Sequence, residues 1–154
     1  MIISNSGRQI DSNNLTELET QLNAKLSDEY RNFLLTYNGG IPSPDTIDVP
    51  NAPGTPTDVQ VFFGIGRSIQ SSDLYWNYLV LCQRFSSLEA LPIACDSGGN
   101  IFCLRFGIVG NASIFYCDLS KSECMCYEVS VTFNEFIAKI RDFDQQSEIK
   151  VTES

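Results

Sequence analysis

Histidine is absent from the 154-residue chain. That excludes the Ser-His-Asp triad, Cys-His dyads, the HExxH zinc site and any acid–base step that needs an imidazole. Basic residues are few: 10 Lys and Arg stand against 19 Asp and Glu, for a formal net charge of -9. Nonspecific binding to nucleic acid or to an anionic membrane draws on an excess of Lys and Arg, and this chain has the opposite balance. Long apolar runs are missing too. No window approaches about 18 consecutive apolar residues, so no transmembrane helix is predicted. Residues 1–7 lack a charged stretch followed by an apolar run of about seven or more. No signal peptide is expected, and the expected compartment is the cytoplasm.

Paired cysteine knuckles are also lacking. The six cysteines are Cys82, Cys95, Cys103, Cys117, Cys124 and Cys126, and none forms a CxxC pair. A zinc site normally shows such pairs or mixed Cys/His spacing. The closest spacing, Cys124-Met-Cys126, puts both side chains on one face of a strand. Most of the six lie in apolar, strand-like runs, where a free cysteine acts as a small hydrophobe. They read as reduced thiols, with a disulfide or redox role as the alternative. No catalytic, cofactor-binding or metal-binding residue is assigned, and no cofactor is expected.

What is present is the composition of one globular domain, 43% hydrophobic and 19% charged. A chain of this size buries roughly 70% of the surface it exposes when unfolded, enough for a core without staples.

Residues 14–26 read as an amphipathic helix, with Leu15, Leu18, Leu22 and Leu26 on one face and Asn14 with Glu17 as a capping box. Ser27 caps a second helix carrying Asp28 and Glu29 in its first turn. Its apolar stripe is Tyr30, Phe33, Leu34 and Tyr37. Asn38-Gly39-Gly40 ends it, glycine being free to take the left-handed conformation of a C-cap. Residues 41–58 hold five of the six prolines, with Asp45, Asp48 and Asp58. They read as a long acidic loop, either a solvated insertion or a functional segment.

Residues 59–65 are apolar enough for a central strand. Ser72 and Asp73 open a third helix through about Phe85, which carries the single tryptophan, Trp76. A strand meander follows over 91–95, 101–106, 113–118 and 125–129. Its turns are Asp96-Ser-Gly-Gly-Asn100 and residues 107–112. Thr132-Phe-Asn-Glu135 is a capping box that opens the last helix. Residues 144–154 read as a frayed tail. The expected fold is α+β: one domain over 1–143, with a mainly antiparallel sheet of about five to six strands. Three to four helices pack on it, on one side.

Motifs for chemistry are weak. Gly64-Ile-Gly66 lacks the third glycine and the lysine of a phosphate loop, and reads as a tight strand exit. Asp96, Gly98 and Gly99 read as a hairpin turn rather than a calcium loop, with Asp96 and Asn100 bonding nearby amides. A pair of carboxylates for glycan hydrolysis is open on spacing alone, and no pair stands out. Charge is more informative. Residues 1–58 carry 8 acids and 3 bases, residues 59–110 carry 3 and 3, and residues 111–154 carry 8 and 4. If the two ends meet in space, one side of the molecule is negative and steers a basic partner. The bland alternative is solubility.

The stretches LSDEYRNFLLTYNGGIP (26–42), VFFGIG (61–66), LPIACDSGGNIFCLRF (91–106), IFYCDLS (114–120) and VTFNEFIAKI (131–140) stand in the order of the SUKH superfamily. That superfamily is built around the fungal cell-wall assembly regulator and its bacterial relatives. The chain resembles it over about residues 13–142. The resemblance implies an α+β domain without catalytic residues. Its bacterial members resemble immunity proteins that bind and neutralise a cognate toxin domain, often a nuclease. It therefore implies a basic protein partner, with no direct nucleic-acid or membrane binding. The alternative it leaves is a regulatory scaffold for cell-wall synthesis. Gly39, Gly40, Asp96, Gly98, Gly99, Thr132 and Glu135 carry the shared pattern and read as structural. The cysteines and the proline-rich loop depart from that pattern. The expected partner-binding residues are therefore Asp45, Asp48 and Asp58 of the loop, with Tyr37 and Trp76.

Overall fold

The computed structural model describes residues 1–106 and 112–144. The turn expected at 107–112 and the tail expected at 144–154 lie, but for Ala112 and Asp144, outside the described residues.

Helix α1 (Ser12–Leu22) starts earlier than its leucine repeat suggests. Asp11, not Asn14, is the N-cap. The Asp11 carboxylate accepts the Asn14 N–H at 3.1 Å, and the Asn14 side chain accepts the Asp11 N–H at 3.0 Å. Asn14 is thus the inner half of the box. The helix stops at Leu22 because Asn23 takes a left-handed φ of 52°. Leu26 is still buried, on the connection to the next helix. Glu19 holds that connection. Its carboxylate accepts the Leu26 N–H at 2.8 Å and pairs with Arg31.

Helix α2 (Asp28–Thr36) has the expected Ser27 cap and the expected stop. Asn38, Gly39 and Gly40 take φ of 51°, 86° and 134°. A Cβ on Gly39 would sit 2.7 Å from the Phe62 carbonyl oxygen, so both conformation and space require glycine there.

Residues 41–58 are not the solvated insertion that their prolines suggest. Strand β1 (Ile2–Ser4) pairs with β2 (Ile41–Ser43), and β3 (Thr46–Ile47) pairs with β4 (Thr57–Asp58). Ile47, Val49 and Ala52 are buried in the main core. Those apolar residues are too sparse to show a period, so burial here comes from tertiary packing.

The main sheet is antiparallel and runs in chain order: β5 (Val61–Phe62), β6 (Ala90–Cys95), β7 (Ile101–Arg105), β8 (Ile114–Asp118) and β9 (Met125–Ser130). Residues 59–65 therefore supply an edge strand, where a central one was expected. Their apolar character has another source. The Phe62 ring packs against Phe33 and Phe136, at 4.8 and 6.2 Å, and its backbone exchanges hydrogen bonds of 2.8 and 3.0 Å with Gly40.

Helices cover both faces of the sheet, not one. Phe102, Leu104, Ile114 and Tyr116 join the main core with α1, α2 and α4 (Phe133–Lys139). The alternate residues Ile101, Cys103, Phe115 and Cys117 pack under Leu81 of α3 (Leu74–Arg84). Strands this apolar at both parities need cover on both sides.

The expected caps of α3 and α4 are present. The Asp73 carboxylate accepts the N–H of Trp76, and also those of Gly66 and Arg67. The amides of the glycine loop at 64–66 thus go to the Ser72 carbonyl, the Asn38 side chain and Asp73 in turn, rather than to a phosphate. Thr132 accepts the Glu135 N–H at 3.1 Å, and Glu135 reaches back to the Val131 N–H at 3.2 Å.

Candidate partner-binding surface

The second and last helices, α2 and α4, meet on one sheet face. The Asn134 N–H, in the first turn of α4, donates to the Glu29 carboxylate at 3.0 Å. The rings of Tyr30 and Phe133 lie 5.2 Å apart beneath this contact. Just past the other end of α4, Arg141 exchanges backbone hydrogen bonds with Thr46 at 2.8 and 3.0 Å. Its guanidinium clasps Asp48 through two bonds of 2.9 Å each, and the carboxylate holds the Arg141 pKa above its ordinary value.

These contacts place the carboxylates of Glu29, Glu135 and Asp48 along α4, and Asp28, Asp45 and Asp142 adjoin the contacting residues in sequence. All are exposed except half-buried Glu29. The two bases within the strip are already engaged. Lys139 pairs with Glu135 at 3.6 Å and donates to the Val129 carbonyl, and Arg141 holds Asp48. The strip keeps an excess of negative charge at the surface, which is the condition for steering a cation-rich partner.

The expected partner residues divide. Asp45 and Asp48 lie in the strip. Asp58 is half-buried and stapled to the 96–100 hairpin, accepting the N–H of Ser97 at 2.8 Å and its hydroxyl. Tyr37 closes α2 with its ring 5.3 Å from Phe33. Trp76 sits half-buried in the first turn of α3. Asp28, Glu29 and Asp142 were not anticipated as partner residues, and Glu135 was expected only as a structural cap. The end-weighted charge was a signal for them, but choosing them needed the contact between α2 and α4.

Asp58 and Asp96 share the hairpin, yet neither is poised as a catalytic acid. Asp96 is buried and accepts from the Asn100 N–H at 2.8 Å, the Tyr116 hydroxyl at 2.6 Å and the Thr57 hydroxyl at 2.9 Å. Both carboxylates serve the turn. Gly99 supplies the turn's positive φ of 89°, and Gly98 does not take one.

A family model described as the SMI1 / KNR4 family (SUKH-1) matches residues 9–139. The chain belongs to that family. Comparisons with curated proteins and with solved structures returned no match. The SUKH-1 match takes in the Asn38–Gly40 stop, the 96–100 hairpin and the Thr132 capping box. It also contains α2, β3 and α4, the elements that carry most of the strip. Arg141 and Asp142 lie just past it. Among the described residues, no helix is long and apolar enough to cross a membrane.

Proposed function

We propose that this SUKH-1 protein is a non-catalytic immunity protein that neutralises a cognate toxin domain, a basic nuclease by class, by covering its cationic surface. The observation that carries this reading is the strip of six carboxylates along α2, α4 and β3, in a chain of net charge -9. A nuclease must hold a polyanion, so its working groove is cationic. An acidic strip on a rigid helix face complements such a groove.

The test starts from capture at low salt with the tagged protein, followed by reconstitution of the captured domain as a pure pair. The expected result is a 1:1 complex with a basic domain whose activity is lost on binding. The on-rate should fall by on the order of tenfold or more from low to physiological salt. Asp28→Lys, Asp45→Lys and Asp142→Lys together should slow association, because no described hydrogen bond uses these side chains and the fold should survive. A partner of neutral or acidic surface, or a basic one whose activity persists in the complex, would overturn the proposal and favour the regulatory scaffold.

A further inference from the structure

On the sheet face opposite the acidic strip, three thiols meet. Cys117 on β8 stands directly across from Cys126 on β9. Their Sγ atoms are 3.4 Å apart, and the Sγ of Cys124, in the turn entering β9, lies 3.5 Å from that of Cys126. All three sulfurs lie within 4.8 Å of one another. Cys103, buried on β7, lies in the same cluster as Cys117.

Packing does not explain the whole trio. Cys117 is buried and half-buried Cys124 packs against the cluster under Leu81, but Cys126 is exposed and gains little as a small hydrophobe. We propose that Cys117, Cys124 and Cys126 form a three-thiolate site for a soft d10 metal ion, Zn(II) or Cu(I). Around an ion bonded at about 2.3 Å, thiolate sulfurs sit roughly 3.8–4.0 Å apart, so the two pairs at Cys126 need to open by a few tenths of an ångström, and Cys117 and Cys124, within 4.8 Å of each other, need to move by less than about 1 Å. All-sulfur ligation selects soft ions and disfavours Mg(II) or Ca(II). Cu(I) is satisfied by the three sulfurs alone. Zn(II) takes water in its fourth position.

The surroundings suit a thiolate cluster. Arg84, tethered to the Leu119 and Lys121 carbonyls, acts on Cys124, and Arg105 acts on Cys126. Both offset the negative charge that three thiolates leave around a mono- or divalent ion. On binding, three S–H bonds break, three metal–sulfur bonds form and three protons pass to solvent, so uptake strengthens as pH rises. The ion would tie the turn before β9, and β9 itself, to β8.

The test is a metal titration of the full chain, reduced with a phosphine under argon. Co(II) serves as the optical probe for Zn(II), and a Cu(I) chelator competes in the second arm. One equivalent per chain, with a sulfur-to-cobalt charge-transfer band or chelator-resistant Cu(I), is expected, and the arm that binds tighter names the ion. Cys126→Ser, at an exposed position that leaves the fold intact, should weaken binding by about 100-fold or more, and so should Cys124→Ser. Cys82→Ser, on α3 and outside the trio, should change nothing. Absence of stoichiometric uptake in both arms, or equal uptake by Cys126→Ser and the parent, overturns the site.

Discussion

Replacing Asp96 with alanine removes the acceptor at the centre of the 96–100 hairpin. The carboxylate is 4% exposed and takes three donors, at 2.6, 2.8 and 2.9 Å. A hydrogen bond to a charged group contributes about 1.5–3 kcal/mol, and a buried donor left without a partner adds its desolvation. Thr57 is half-buried and can turn to water, so its bond counts least. Tyr116 is 7% exposed and cannot. The expected cost is about 3–4 kcal/mol, a large part of the ~5–15 kcal/mol that stabilises a domain. With a urea slope of about 2 kcal/mol per molar, the unfolding midpoint should fall by about 1.5–2 M. Tyr116→Phe should cost about 1–2 kcal/mol, and the double variant should fall short of the sum by about 1 kcal/mol. A loss below about 1 kcal/mol for Asp96→Ala, or an additive double variant, would refute the central role of this carboxylate.

Four further outcomes follow from the packing. The Tyr30 hydroxyl is fully buried and has no hydrogen-bond partner among the described residues, so Tyr30→Phe should stabilise by about 1 kcal/mol in the same urea assay. Glu19→Ala strands the buried Leu26 N–H and releases Arg31, and should cost about 2–3 kcal/mol. Gly64→Ala drives a Cβ to 2.1 Å from the Asn38 carbonyl oxygen and should cost several kcal/mol, about 3 or more, whereas Gly54→Ala, at φ +78° in open space, should cost about 1. Stability should also fall with alkali. Burial first, then the neighbouring Cys82, raises Tyr78 to about 12, while burial ahead of Asp96 and Asp58 raises Cys95 to about 11, and burial raises Tyr116 too. The unfolded chain releases these protons from about pH 9–10, where the folded chain still holds them. The folded state is therefore fully favoured below pH 9 and loses ground from there toward 12. A melting temperature that stays level between pH 7.5 and 10.5 would contradict the burial of these groups.

Much of the local structure was readable. Ser27, Asp73 and Thr132 each cap a helix through hydrogen bonds that span three residues. The meander showed in the alternation of its strands and the glycines of its turn. The misreadings have two causes. The Asp11 cap is local but lies outside the leucine repeat, whereas Phe62 of β5 is buried by Phe33 and Phe136, and Ile47, Val49 and Ala52 are buried by elements far along the chain. The second cover of the sheet was hidden because Arg105 and the cysteines made that face look half-polar.

The amino-acid order alone settles the chemistry this protein lacks and the local devices that start and stop its elements. Those depend on residue types and on spacings of a few positions, which no partner segment can change. The acidic strip and the thiol trio depend on tertiary structure. Glu29 meets Asn134 across 105 positions, and Asp48 meets Arg141 across 93. Cys117 faces Cys126 only in the register that β8 and β9 adopt. A shift of one residue would send those sulfurs to opposite faces, because side chains alternate along a strand. Register and helix placement are set by the burial of Tyr30, Phe102, Phe133 and Phe136 in one core, and that burial is a property of the whole chain.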